Sequence, residues 1–107
     1  MSHYNLLLER PQGFVSYCDC CQTFQIVFGN IALVKSEMEF QQLMRTLNDI
    51  RTYHYRAGKE NHKTIWLETS LPGLKFVFTY NEATAMQDLA EQAYLVYKAE
   101  QLINELE

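Results

Sequence analysis

The segment around Gly29 constrains the fold of this chain more than any other. Large apolar residues alternate along the stretch before it, as in a strand with one buried face: Phe24, Ile26 and Phe28. Gly29-Asn30 separates this stretch from a second apolar run, and Gly at the first central position suits a two-residue type II′ hairpin. In that register Phe28 lies opposite Ile31, so the large side chains share one face. The pattern predicts a β-hairpin.

A helix is predicted directly after this hairpin. Ser36 and Glu39 form a capping box, in which each side chain accepts a hydrogen bond from the other residue's backbone amide. Apolar residues then recur every three or four positions and form one buried stripe: Phe40, Leu43, Met44, Leu47 and Ile50. The polar stretch from Arg51 to Lys63 is predicted to be a loop.

The same order of signals recurs in the second half. Residues 64–69 and 75–80 are predicted strands, joined by a turn in which Pro72 and Gly73 suit the central positions of type II. Asn81 is the predicted N-cap of a long last helix. With a further strand at 14–17, the chain is predicted to be one α+β domain, residues 1–107, with the order β-β-β-α-β-β-α. We expect an antiparallel sheet of about four to five strands with two helices on one face, arranged as a possible duplication of a strand-strand-helix unit.

Composition and charge exclude several classes of protein. With 107 residues and 48% hydrophobic residues, the chain can bury a working core without disulfides. Its formal charge of -4 provides no general attraction for nucleic acid. No apolar run reaches the length of about 20 residues that spans a bilayer, and the N-terminus has no signal-peptide pattern. Together with the odd count of 3 cysteines, this predicts a cytoplasmic protein.

The cysteines form the most specific local motif. Cys18 and Cys21, between two strands, have the spacing with which a zinc knuckle supplies half of a tetrahedral site. The sequence offers several further ligands: Cys20, His3, His54 and His62, or the same cysteines of a second subunit. Two alternatives remain open, which are simple packing of small apolar side chains and thiol redox or metal-responsive chemistry. Asp19 is expected to raise the pKa of the neighbouring thiols, because like charge disfavours a thiolate.

The sequence contains none of the common catalytic motifs that we considered. No serine or cysteine is placed with a histidine and an acid as a nucleophile-base pair requires, and neither a Gly-rich phosphate loop nor a His-Glu-x-x-His motif occurs. No cofactor is implied apart from zinc. We therefore predict a non-enzymatic module that acts through contacts with an unidentified protein partner.

The last helix indicates a homodimer. Leu95, Leu102 and Leu106 lie on the side opposite its core-facing stripe. A helix over 81–107 would be about 40 Å long, which exceeds the diameter of about 33 Å expected for a globule of this size. A two-fold partner that covers the overhang is one prediction. The alternative is that the N-terminal apolar residues fold back on the helix.

Part of the sequence resembles a known group of proteins. Cys18-x-x-Cys21, the following Phe28-Gly29-Asn30 and the Ser36-x-x-Glu39-Phe40 helix start are similar to motifs in a family of small uncharacterised bacterial proteins. The likeness covers roughly residues 14–50. It implies a bacterial origin, a cytoplasmic location and no assigned activity, and Cys20 has no counterpart in the pattern.

Overall fold

The chain folds as an α+β structure, as the sequence predicts. The computed structural model describes residues 4–53, 57–69 and 71–106. Its elements follow one another as β1 (Tyr4–Arg10), β2 (Gly13–Cys18), β3 (Thr23–Phe28), β4 (Ile31–Ser36), α1 (Glu37–Tyr53), β5 (Ile65–Glu68), β6 (Lys75–Phe78) and α2 (Tyr80–Glu105). The first four strands form an antiparallel sheet in the order β1-β2-β3-β4, and β5 and β6 form a separate two-stranded sheet.

Strand β1 is the element that the sequence pattern did not predict. It pairs with β2 from Tyr4, opposite Cys18, to Arg10, opposite Gly13, and its register shifts between Leu6 and Leu8. Such an irregularity changes which side chains face the core, so the apolar residues of β1 show no simple alternation. Strand β1 packs against α2, but Leu95, Leu102 and Leu106 stay exposed, so the N-terminal segment does not cover the far side of the last helix. The element order is therefore β-β-β-β-α-β-β-α.

Both predicted hairpins are present with their predicted turns, and the predicted register of the first is confirmed. Phe28 pairs with Ile31, as the apolar pattern requires. Gly29 has φ 56°, and Gly73 has φ 81°, so each lies in the left-handed region that these turns need. In the second turn the amide of Leu74 donates to the carbonyl of Leu71 at 3.2 Å.

The helix starts show one confirmed prediction and one correction. The Ser36 hydroxyl accepts from the amide of Glu39 at 3.2 Å, and the amide of Ser36 donates to the Glu39 carboxylate at 2.9 Å. The N-cap of α2 is Thr79, which forms the same capping box with Glu82, so the assignment to Asn81 was wrong. Thr79 is the N-cap because its spacing from Glu82 allows the two side chains to satisfy two backbone amides, whereas Asn81 lies within the first turn of the helix.

The core lies between one face of the four-stranded sheet and the two helices. Both helices contact this sheet, α1 through β3 and β4 and α2 through β1 and β2. Aromatic rings fill one end of the core: the ring centroids of Phe24 and Phe40 are 4.5 Å apart, and those of Phe24 and Tyr97 are 4.9 Å apart. On the other face of the sheet, Leu6 and Val34 are exposed. The fold is therefore a two-layer structure.

The distal part of α2 projects beyond this core. After Tyr97, none of the described residues of the helix is buried. The longest dimension of the molecule is 50 Å, whereas the other two are 28 and 24 Å. A helix of 26 residues spans about 39 Å at 1.5 Å per residue, so α2 accounts for much of this elongation.

Candidate metal centre

The cysteines occupy the connection between β2 and β3. Cys18 is the last residue of β2, and its register partner Thr23 is the first residue of β3. The four residues between them reverse the chain, and Gln22 does so with a left-handed φ of 55°. Cys18 is buried with 2% of its surface exposed, whereas Cys20 and Cys21 are exposed. The site thus has one anchored thiol and two that face solvent.

The three thiols converge on one position. Their sulfur atoms all lie within 4.8 Å of one another. The Sγ atoms of Cys18 and Cys20 are 3.4 Å apart, and the backbone amide of Cys21 donates to Cys18 Sγ at 3.3 Å. Zinc–sulfur bonds of about 2.3 Å in a tetrahedron place sulfur atoms about 3.8 Å apart. The three cysteines therefore lie close enough together to bind one metal ion.

Hydrogen bonding divides the thiols into an acceptor and donors. Desolvation raises the pKa of Cys18, but hydrogen bonds from the thiol and amide of Cys21 and from Cys20 outweigh it and leave the pKa below its ordinary value. The same contacts raise the pKa of Cys21 to about 11, because its thiol donates to Cys18 and lies beside its negative charge. Cys18 therefore becomes a thiolate, the form that binds metals, more readily than Cys21.

The expected influence of Asp19 was wrong. The pKa of Cys18 is lowered rather than raised, and Asp19 is not among the causes of the shift at either Cys18 or Cys21. The Cys20 thiol and the Cys21 amide contact Cys18 Sγ directly, and direct hydrogen bonds to a thiolate outweigh a charge on an exposed side chain such as Asp19.

The histidine candidates do not join the thiols in the described part of the chain. His62 is exposed, and the group of metal-ligating side chains around Cys18 contains cysteines alone among residues 4–53, 57–69 and 71–106. His3 and His54 lie outside the described residues. Tyr4, which follows His3 in sequence, is the register partner of Cys18.

A network behind the turn holds β2 in place. Tyr17 directly precedes Cys18 and packs its ring 4.7 Å from that of Tyr97 on α2. Glu37, the first residue of α1, accepts from the Tyr94 hydroxyl at 2.6 Å and pairs with Lys98 at 3.1 Å. These hydrogen bonds, with that of Tyr94 the strongest, lower the pKa of Glu37. The base of the turn is therefore tied to both helices.

Cys20 is the member of the site that sequence reasoning underrated. The spacing of Cys18 and Cys21 drew attention because it is that of a zinc knuckle, and Cys20 was only one of several further ligands. In the structure Cys20 Sγ lies 3.4 Å from Cys18 Sγ. The signal was available, because a Cys-x-Cys-Cys run on a tight turn has little room in which to separate its thiols.

The predicted dimer residues are exposed on α2. Leu95 and Leu102 each expose 61% of their surface, and Leu106 exposes 87%. Ile103 belongs to the same exposed stretch, with 57% of its surface exposed. The exposure of these apolar side chains is as predicted, and the dimer itself stays a prediction.

Comparisons with known proteins place the chain in a family. No curated protein and no solved structure matches the chain. Among the described residues, no helix is both long and apolar enough to cross a membrane. The model of one protein family, described as a family of unknown function (DUF6686), matches residues 1–105. The chain therefore belongs to this uncharacterised family, in agreement with the resemblance to an uncharacterised group.

Proposed function

We propose that this chain is a non-enzymatic interaction module of the cytoplasm, in which a zinc ion bound by Cys18, Cys20 and Cys21 fixes the connection between β2 and β3. The observation that carries this proposal is the convergence of three thiols within 4.8 Å. Thiolates are the ligands that select zinc and other soft ions. The lowered pKa of Cys18 adds support, since a metal binds the deprotonated form.

A structural zinc ion takes four ligands, so one more is needed. The chain offers His3, His54 and His62 for this role, and a cysteine of a second copy would serve equally. The amide of Cys21 already donates to Cys18 Sγ, which is the kind of outer contact that orients a metal ligand. The metal would thereby stabilise a turn that contains a left-handed, non-glycine residue at Gln22.

The first prediction concerns metal content and stability. Freshly purified protein is expected to contain one zinc ion per chain by elemental analysis. If the free zinc concentration is about 100 times Kd, binding adds about 3 kcal/mol to the free energy of unfolding. Stripping the metal with a chelator should then lower Tm by roughly 10–20 °C. Cys18→Ser and Cys20→Ser should each abolish binding, because serine is not a thiolate ligand.

A matched control uses the same turn. Gln22→Gly leaves all three thiols in place and relieves the left-handed backbone at this position, so zinc content should not change. Alanine variants of His3, His54 and His62, tested one at a time, identify the fourth ligand. Protein that contains no metal, and whose Tm does not respond to added zinc, contradicts the proposal.

Thiol redox chemistry is the second candidate, and the 3.4 Å contact between Cys18 Sγ and Cys20 Sγ is the observation that favours it. In such a reaction two thiols lose two protons and two electrons to a disulfide oxidant and form one S–S bond. Metal-free protein treated with oxidised glutathione would then lose two free thiols, and dithiothreitol would restore them. The burial of Cys18 opposes this chemistry, because an attacking thiolate has to be accessible.

We also propose that the distal part of α2 forms a homodimer. Its exposed leucines recur at helical spacing, which builds one apolar stripe on a segment that projects beyond the core. A two-fold axis pairs such a stripe with itself.

The dimer prediction is tested at Leu102. Leu102→Glu places a charge in the middle of the stripe and should convert a dimer of about twice 12.6 kDa into a monomer, as measured by analytical ultracentrifugation. Glu100→Gln, an exposed substitution about 160° around the helix from Leu102, should leave the mass unchanged. A monomeric wild-type protein contradicts this part of the proposal.

A further inference from the structure

An apolar groove separates β4 from the β5–β6 hairpin. It has a volume of about 340 Å³ and runs over α1, which forms its floor. Six apolar side chains line it, and together they define what we term the β4 groove: Leu33, Leu43, Leu67, Leu71, Leu74 and Phe76. Leu71 and Leu74 expose 61% and 47% of their surfaces, so the groove is open to solvent on the side of the hairpin.

One wall of this groove is an edge strand. Strand β4 pairs with β3, and among the described residues no strand lies on its other side. In a hairpin with a two-residue connection, the flanking pair, here Phe28 and Ile31, exchanges both hydrogen bonds. Backbone groups alternate along a strand, so the amides and carbonyls of Ala32 and Val34 point away from β3 and toward the edge.

The two edges of the sheet differ in how they are protected against pairing with a strand of another chain. Strand β1 has an irregular register between Leu6 and Leu8 and ends in Glu9 and Arg10, features that discourage pairing with another chain. Strand β4 keeps an unbroken register over its six residues and carries Lys35 as its single charged side chain. Its regular edge presents a template for an added strand.

The opposite wall of the groove is also suited to an extended peptide. Leu67 and Phe76 are register partners in the hairpin, and both pack partly buried against the core. Leu33 of β4 does the same from the other side of the groove. An extended peptide beside β4 would direct alternate side chains toward these residues and toward Leu43 of α1, and its backbone would hydrogen-bond with the outward groups of β4.

We propose that the β4 groove binds an extended peptide segment of a partner protein, which adds to β4 as a fifth strand and inserts apolar side chains at every second position. Main-chain hydrogen bonds then provide affinity, and the groove provides side-chain selectivity. This inference rests on the proposed role as an interaction module and is independent of the metal. Outward amides and carbonyls of β4 beside a groove lined by leucine and phenylalanine side chains suit a β-strand ligand, because a compact small molecule would leave most of these backbone groups unpaired.

The test uses a phage-displayed library of random heptapeptides selected on the full, metal-loaded chain. Selected peptides are expected to share apolar residues at alternate positions and to slow amide exchange at Ala32 and Val34, as measured by NMR. Ala32→Pro removes an outward amide without removing a bond to β3, and it should weaken peptide binding at least about tenfold. Leu71→Asp tests the groove separately at an exposed position and should have the same effect.

Leu6→Asp is the matched control, because Leu6 is 57% exposed, close to the 61% of Leu71, but lies on β1 at the other edge of the sheet, and peptide binding should not change. Peptides that bind equally to wild type and to Ala32→Pro overturn the groove but leave the interaction role standing. Failure to enrich any peptide overturns the groove proposal and leaves the dimer to its own test by particle mass. A self-association that Ala32→Pro abolishes would show a second copy at β4 and would also overturn the proposal. Zinc content of the same samples reports on the metal proposal independently.

Discussion

Phe24→Ala is expected to lower the free energy of unfolding by about 3–5 kcal/mol, the usual cost of truncating a buried aromatic side chain. The Phe24 ring is fully buried and packs against rings from a strand and both helices, with centroids 4.7 Å from Tyr17, 4.5 Å from Phe40 and 4.9 Å from Tyr97. Alanine would leave a cavity where the sheet meets both helices. Since small domains have total stabilities of only about 5–15 kcal/mol, the variant would lose a large share of its stability.

Urea titration followed by far-ultraviolet circular dichroism measures this loss. Phe24→Leu keeps much of the volume and should cost less than Phe24→Ala. Trp66→Ala removes a larger ring at a position that is 64% exposed, and it should change the free energy of unfolding by less than about 1 kcal/mol. Equal effects at Phe24 and Trp66 would mean that the aromatic cluster does not organise the core.

Gly13→Ala is the second substitution with a large expected effect. A Cβ at Gly13 would lie 1.9 Å from the carbonyl oxygen of Val27 and 2.9 Å from Phe28 Cα, so the backbones of β2 and β3 would have to separate. Each backbone hydrogen bond lost contributes about 1 kcal/mol, and we expect a total loss of about 2–4 kcal/mol, measured by the same titration. The register between β2 and β3 also frames the cysteine turn at the other end of these strands.

Gly29→Ala serves as the comparison for Gly13→Ala. No atom lies within 4 Å of a Cβ at Gly29, and the only penalty is its φ of 56°. That backbone conformation costs an alanine roughly 1–2 kcal/mol. If Gly29→Ala were the more damaging of the two substitutions, the close approach of β2 and β3 at Gly13 would be incorrect.

The proposals concern separate parts of the molecule. The thiols lie on the connection between β2 and β3, the β4 groove lies beside the far edge of the same sheet, and the exposed leucines lie on distal α2. The changes in free energy that substitutions at two of these surfaces cause should therefore be additive. This separation is what allows zinc content, peptide binding and particle mass to be measured on the same variants.

The cysteine site shows how far a motif carries a functional hypothesis. The spacing of Cys18 and Cys21 predicted that two sulfurs share one side of a turn, and the structure confirms the convergence and includes Cys20 in it. The thiol pKa values were less predictable. They depend on which sulfur accepts hydrogen bonds from its neighbours, and this follows from the path of the turn rather than from residue types.

Local signals were sufficient for the hairpins and for α1. Gly29, the alternation before it and the Ser36 capping box act over a few residues, so each could be recognised without knowledge of the rest of the fold. At α2 a local signal was present but misassigned, because Thr79 and Glu82 have the same spacing as Ser36 and Glu39. The sequence alone therefore determined the element types, the turn positions and the buried face of the central hairpin.

Only the tertiary structure decided the role of the N-terminal segment and the separation of the two sheets. Strand β1 owes its conformation to pairing with β2, the next strand, and to packing on α2 at the other end of the chain. Likewise, the gap between β4 and the hairpin depends on packing against different helices, since β4 contacts α1 and β6 contacts α2. Long-range packing of this kind leaves no periodic trace in a single sequence, because the pairing partner and not the local pattern supplies the stabilising contacts.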